Sequence, residues 1–250
     1  LQGIAEVFGG FMLPSMDEQT VGQLVAAHPE WALVFEEFQI DYCCQGNVSL
    51  SEACKKKGIS ADQVRDKLTQ VQNLDGPESS MDQASIAEII DHITNTYHKP
   101  LVQVLSQLQM LIVRVESKHA ARHPELVKLK NSFMRFRSAL EAHMDKEDRI
   151  LFPMCLELDS AQAMPVFHCG SVTNPIRMME FEHEDAGQTL NEFRSLTNDY
   201  TPPEDACTSY KLMIRALEKL ELDMHKHVHL ENSVLFPKVK NKEAGLVRKS

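Results

Sequence analysis

The sequence predicts an all-α protein, an up-down four-helix bundle preceded by a small helical domain. Three observations lead there. Beyond position 85, apolar residues recur at spacings of three and four over long stretches, the pattern of a helix with one buried face. Aromatic residues make up only 6% of the chain, while Leu, Met, Glu and Lys are plentiful, a composition that favours helix over sheet. Finally, His143-x-x-x-Glu147 with Leu151-Phe152-Pro153 returns 84 positions later as His227-x-x-x-Glu231 with Leu235-Phe236-Pro237, so the bundle reads as two similar helical hairpins.

Composition narrows the function classes. With 26 Lys and Arg against 36 Asp and Glu, the formal charge is −10, which offers no footprint for nucleic acid or an anionic membrane. No uncharged apolar run reaches the length of a membrane span. The six cysteines are too irregularly spaced for a disulfide framework, and the apolar start has neither the charged flank nor the cleavage site of a secretory signal; both point to a reducing, cytoplasmic setting. Residues 1–16 read as an extraneous leader, with Met16 as the native beginning, or as a disordered start.

Residues 17–73 form the small helical domain. Short helices are expected over Thr20 to Ala27, stopped by His28-Pro29, over Glu30 to Gln39, over Leu50 to Lys57, ended by Gly58, and from Ser60, a capping residue. The Gly/Pro/Ser/Asp cluster at 74–85 is a linker. Residues 86–240 form the bundle and 241–250 a tail. Its first long helix runs from Ile86 to Lys118, with Pro100 kinking rather than ending it because the apolar stripe continues in phase. The second covers about 125–157, the third 175–196, and the fourth follows Pro202-Pro203 and reaches Phe236-Pro237; the shared Leu-Phe-Pro is expected to terminate its helices.

The chemistry lies on the inner faces. Residues i and i+4 of a helix differ by about 40° and about 6 Å along the axis, so His143 and Glu147 project side by side, as do His227 and Glu231. Both pairs share faces with apolar residues: Phe136, Leu140, Ile150 and Leu151 for the first, and Leu220, Met224, Val234 and Leu235 for the second. A carboxylate on a core face costs several kcal/mol unless it meets a cation. His98 and His183 stand almost equally far upstream of the two pairs, so four His and two Glu converge from four helices. That set predicts a dinuclear metal site with bridging carboxylates. Mixed N/O ligation without thiolate suits iron or manganese better than structural zinc. Gly187, one turn beyond His183, is expected to leave room beside one metal. His225 and His229 fall on the opposite face of the fourth helix and are expected to be solvated.

The second feature is Asp41-Tyr42-Cys43-Cys44-Gln45-Gly46 between two short helices. Adjacent cysteines diverge and do not readily chelate one metal. They can form a vicinal disulfide, or offer thiolates for redox exchange or metal transfer; two buried small apolar residues is the plainer alternative. Gly46 is expected to supply a flexible turn.

These motifs, together with Ile89-Ile90-Asp91-His92-Ile93, Tyr97-His98 and Glu182-His183-Glu184, resemble the repair-of-iron-centres family of the YtfE/ScdA/DnrN type, di-iron hemerythrin-like proteins with a small ScdA-type amino-terminal domain. The resemblance covers nearly the whole chain from Asp17. It implies two non-haem iron ions with an oxo or hydroxo bridge, held by His98, His143, Glu147, His183, His227 and Glu231, and a thiol role for Cys43 and Cys44. It further implies cytoplasmic repair of iron–sulfur clusters damaged by nitric oxide or peroxide, with damaged iron–sulfur proteins and small ligands such as nitric oxide or oxygen as partners, and a homodimer. One departure is Ala139, where the family leads one to expect a Glu; Glu141 and Glu182 are the nearby carboxylates. Three functions share the ligand set: an iron-donating repair protein, which is favoured over a turnover enzyme; a nitric oxide or peroxide reductase; and a carrier or sensor of oxygen or nitric oxide, against which the thiol pair argues.

Overall fold

The computed structural model describes Met16 and residues 18–71 and 81–248. Of the start read as 1–16 and the linker read as 74–85, positions 1–15 and 74–80 lie outside the described residues. The chain divides into two compact units, residues 1–79 and 80–250.

In the first unit, α1 (Val21–Ala27) opens with a capping box between Thr20 and Gln23. A 3-10 turn at Pro29–Trp31 leads into α2 (Ala32–Glu37). Ser49 caps α3 (Leu50–Lys57), which ends at Gly58 with φ 68°, a left-handed position that glycine adopts without strain. The amphipathic α4 (Ala61–Val71) follows, burying Val64 and Leu68. The core gathers Val21, Leu24, Trp31, Phe35, Tyr42 and Leu50, all at most 2% exposed.

In the second unit a capping box between Ser85 and Glu88 starts α5 (Ile86–Ile93), and the same rod continues through a π turn at Thr94–His98 into α6 (Lys99–His119). Next come α7 (Glu125–Lys146), a π turn at Glu147–Leu151 and α8 (Phe152–Ser160). After a loop, α9 (Thr173–Leu196) is a single uninterrupted helix. The last rod is α10 (Thr208–His229), a π turn at Leu230–Leu235 and α11 (Phe236–Val247). Helix α6 packs on α7, α7 on α9, α9 on α10 and α10 back on α6, which closes the bundle. No helix among the described residues is long and apolar enough to cross a membrane.

Three rods therefore carry one π turn each, and each turn is followed at the second residue by a proline: Pro100, Pro153 and Pro237. A proline has no N–H to give to the carbonyl four residues back and its ring crowds that carbonyl, so the helix widens by one residue there. The N–H just before each proline reaches back five residues instead, from Lys99 to Thr94, Phe152 to Glu147 and Phe236 to Glu231.

This arrangement corrects several expectations. Leu-Phe-Pro does not terminate its helices, because the chain resumes helix directly in α8 and α11. The tail expected from 241 is the continuation of α11 to Val247. Ile150, expected on the inner face, is 47% exposed because the extra residue of the π turn rotates it outward. His229, expected in solvent, is buried.

One contact reaches across the second unit. Glu243 of α11, itself buried, accepts hydrogen bonds from the Val172 backbone N–H at 2.9 Å, Ser171 Oγ at 2.8 Å and Thr173 Oγ1 at 3.0 Å. It satisfies donors at the start of α9 that the helix itself leaves unpaired.

Candidate metal centre

The π turns stand where the ligands are: His98 closes the first, Glu147 opens the second and Glu231 lies in the third. The i, i+4 pairs survive, with His227 Nε2 3.0 Å from Glu231 Oε1 and His143 Nε2 3.2 Å from Glu147 Oε2. His98 comes in from the first rod, with Nε2 3.0 Å from His227 Nε2, and His183 from α9, with Nε2 3.1 Å from His143 Nε2. All six side chains are buried, the two glutamates completely.

The ligand atoms fall into two groups, each within 4.8 Å: His98, Glu147, His227 and Glu231, and His143, Glu147, His183 and Glu231. Both glutamates belong to both groups, the placement of bridging carboxylates. Each group takes one histidine from each hairpin.

The donor set fits a pair of cations. Glu147 Oε1 and Oε2 and Glu231 Oε2 are buried oxygens without an assigned hydrogen-bond partner, although His143 Nε2 lies 3.2 Å from Glu147 Oε2 and His183 Nε2 3.1 Å from Glu231 Oε2. Buried carboxylate oxygens left in that state are costly unless a positive charge meets them. Nitrogens of one imidazole pair facing each other at 3.0 Å likewise need something between them, a proton or a metal. Burial alone pulls the His98 imidazole down, but Glu231, Glu147 and Asp148 together raise it to about 9. Burial also opposes charge on His143, which Glu147, Glu231 and Glu182 raise to about 9. Burial would raise the Glu231 carboxyl, yet His227, His183 and His98 hold it well below its ordinary value.

The outer ring nitrogens are tied as metal-binding imidazoles usually are. His98 Nδ1 lies 2.8 Å from Asp148 Oδ1, His143 Nδ1 2.8 Å from Glu182 Oε2, and His183 Nδ1 2.9 Å from Asn232 Oδ1. The ring of His227 instead stacks on Tyr97, centroids 5.2 Å apart and planes within 6°.

Comparison with known proteins agrees with this architecture. The ScdA_N family, a domain of unknown function, matches residues 17–72, and the hemerythrin HHE cation binding domain matches residues 89–239. The chain is 34% identical to a probable iron-sulfur cluster repair protein of Haemophilus influenzae, over 92% of this chain and 100% of that one. It is 34% identical to the iron-sulfur cluster repair protein YtfE of Dickeya chrysanthemi, over 88% and 96%, and 32% identical to ScdA of Staphylococcus haemolyticus, over 89% and 98%. The chain belongs to the iron–sulfur cluster repair protein family.

The two halves of the candidate metal centre are not equivalent. Glu182 precedes His183 as Tyr97 precedes His98, so the repeat places a carboxylate on one side and an aromatic ring on the other. A cavity of about 390 Å³ between α7 and α9 reaches His143 and His183. Its walls include Ala139, Ala142, Ala186, Lys146 and Glu182. Room comes from these alanines, and Gly187, from which it was expected, is not among the lining residues. Glu182 also pairs with Lys146; burial works against its charge, but Lys146 and His143 keep its carboxyl below the ordinary value. On the other side His98 stacks on Phe152, centroids 5.6 Å apart, and Tyr97 covers His227. Cys155, buried nearby, is pushed up to about 12 by burial and by the charge of Glu147, which keeps it a neutral thiol.

The double-cysteine turn also differs from expectation. The two sulfurs converge at 3.7 Å without a disulfide, and with Asp41 they form a group whose ligand atoms lie within 4.8 Å. Asp41 Oδ1 organises the turn, accepting from the backbone N–H groups of Cys43 at 3.1 Å, Cys44 at 2.9 Å and Gln45 at 3.2 Å. The Cys43 thiol is held well above its ordinary value by its hydrogen bond with Cys44, by burial and by the charges of Cys44 and Asp41. Gly46 is a close-approach residue rather than a flexible one: a Cβ there would sit 2.4 Å from the Tyr42 carbonyl oxygen and 3.2 Å from Gly22 Cα.

Proposed function

We propose that this chain holds two non-haem iron ions, joined by an oxo or hydroxo bridge, and serves in the cytoplasm as an iron-donating repair protein for iron–sulfur clusters damaged by oxidative or nitrosative stress. The observation that carries the reading is the pair of four-residue ligand groups sharing Glu147 and Glu231, of which one, His143 with His183, borders a cavity. Carboxylates and imidazoles bind ferrous iron without the permanence of thiolate cages, which suits a protein whose iron is cargo. The relatives, named iron-sulfur cluster repair proteins, support the same assignment.

In this reading Glu147 and Glu231 neutralise the two cations together, while Asp148, Glu182 and Asn232 orient the imidazoles. Lys146 and Glu182 border the cavity, and Glu182, itself paired with Lys146, holds His143 Nδ1 and would orient that ring toward a bound metal. Cys43, Cys44 and Asp41 offer a second, softer set of donors suited to transient iron transfer. The partners are damaged iron–sulfur proteins, with nitric oxide or oxygen as small ligands. The alternative, a nitric oxide or peroxide reductase, would use the same cavity for entry.

The test is metal analysis with Mössbauer spectroscopy on protein purified without oxygen, before and after addition of a damaged iron–sulfur protein. Two coupled irons that decline as the client regains its cluster are expected. Two irons that stay bound while nitric oxide is consumed over many turnovers would overturn donation in favour of reduction.

A further inference from the structure

A buried histidine and an exposed cysteine meet at the far end of the bundle. The final residue of α6, His119, is buried, and its Nε2 stands 3.2 Å from the sulfur of Cys207. Cys207 is exposed and occupies the cap position of the 22-residue α10, without its side chain bonding to the helix. Counted along α6 at 1.5 Å per residue, this pair is about 30 Å from His98, so it is no part of the metal centre.

The surroundings hold the imidazole in place beside the sulfur. His119 Nδ1 is buried with no hydrogen-bond partner. Tyr210 packs edge-on against the ring, centroids 5.3 Å apart, and fixes its plane toward the sulfur. The neighbouring His123 is engaged on both nitrogens, with Glu125 Oε1 at 3.1 Å and Asp205 Oδ1 at 2.9 Å, and Asp205 also pairs with Arg122 at 3.2 Å. The nearby carboxylates are thus committed to His123 and Arg122, and the polar atom of His119 that faces outward meets only the thiol. Buried His119 and exposed Cys207 make a base–nucleophile pair with the nucleophile on the solvent side.

We propose that Cys207, with His119 as its base, is a modification site that forms a mixed disulfide with small-molecule disulfides. In the step, the Cys207 S–H proton passes to His119 Nε2 as the sulfur attacks one sulfur of the small disulfide. A new S–S bond forms to Cys207 and the old S–S bond breaks. The departing sulfur leaves with the electron pair and takes the proton back from His119. Cys207 is oxidised to the disulfide level and the departing half is reduced to a thiol, so the small disulfide is the only oxidant needed.

The experiment incubates the full-length, metal-loaded protein with oxidised glutathione and follows each cysteine by peptide mapping. The reference is a synthetic peptide of residues 203–211, which keeps the local sequence but lacks His119. Cys207 in the folded protein is expected to react roughly tenfold or more faster than the peptide, the low end of what a positioned base supplies. His119→Asn, checked for native helical circular dichroism, should bring the rate down to that of the peptide. A folded-protein rate no faster than the peptide's overturns the proposal, as does a folded His119→Asn variant that reacts at the unaltered rate. If that variant does not fold, the comparison of unaltered protein with peptide decides alone.

Discussion

Asp148 Oδ1 grips His98 Nδ1 at 2.8 Å while its chain neighbour Glu147 lies 3.5 Å from Nε2 of the same ring. Consecutive carboxylates thus address opposite edges of one imidazole. The second hairpin repeats the device, with Asn232, next to Glu231, holding His183 Nδ1 at 2.9 Å and Glu231 3.1 Å from its Nε2. In each hairpin the residue after the shared glutamate holds the histidine contributed by the preceding helix, so the structural repeat is longer by one than His-x-x-x-Glu.

Replacing Asp148 or Asn232 with Leu should therefore leave the fold intact and weaken metal binding by about 10–100-fold, the usual cost of losing such a support. Competition with a chelator measures it. Unchanged affinity in both variants would mean that the outer bonds do not orient the ligands.

Glu147→Leu and Glu231→Leu remove an oxygen donor from both groups at once, since each glutamate is shared. Each variant should lose both irons rather than one, as read by metal content after purification without oxygen. Two irons retained in either variant would contradict the bridging assignment.

Metal uptake should release protons. Without metal, His98 and His143 stay protonated up to about 9, so at pH 7 both carry a proton that an incoming cation must displace. Affinity for ferrous iron should accordingly rise as pH increases toward 9 and fall on acidification. Calorimetry in two buffers of different ionisation enthalpy would count the protons, and a count of zero would reject the prediction.

Gly46→Ala should destabilise the first unit by about 1–3 kcal/mol, the range for forcing atoms into a packed site. The added Cβ meets backbone, the Tyr42 carbonyl oxygen, which cannot swing aside like a side chain. Denaturant titration monitored by Trp31, buried in that unit, reads this directly. Metal content of the second unit should be unchanged.

The six residues that converge in the candidate centre were legible in the sequence because their signal is periodic: His143 with Glu147 and His227 with Glu231 share a face at i, i+4, and duplication repeats the pattern. Most of the support around them was not. Asp148 and Asn232 fall one position off the ligand face, where a solvated residue and an outer-shell partner look alike in sequence. Ile150 was misplaced for a related reason. Periodicity assumes 3.6 residues per turn throughout, and a π turn breaks that phase without altering the composition. The prolines that mark the π turns were visible, but Pro153 and Pro237 read as stops because a missing N–H fits the first turn of a new helix as well as the end of an old one. The convergence of Cys43 and Cys44 depends on the hydrogen bonds of Asp41, a property of the turn rather than of spacing.

Glu243 gives α11 a part in holding the helix that carries His183. It fastens the first residues of α9, the helix that carries His183, to α11, whose own start follows directly from the π turn that holds Glu231. A truncation after residue 240, harmless if that stretch were a spare extension, would unfasten α9 some ten residues upstream of His183. The boundary for any shortened form of this protein is therefore set by the helix that carries His183, a candidate ligand far away in sequence, and a label or fusion partner is better attached beyond Val247 than in place of the turns before it.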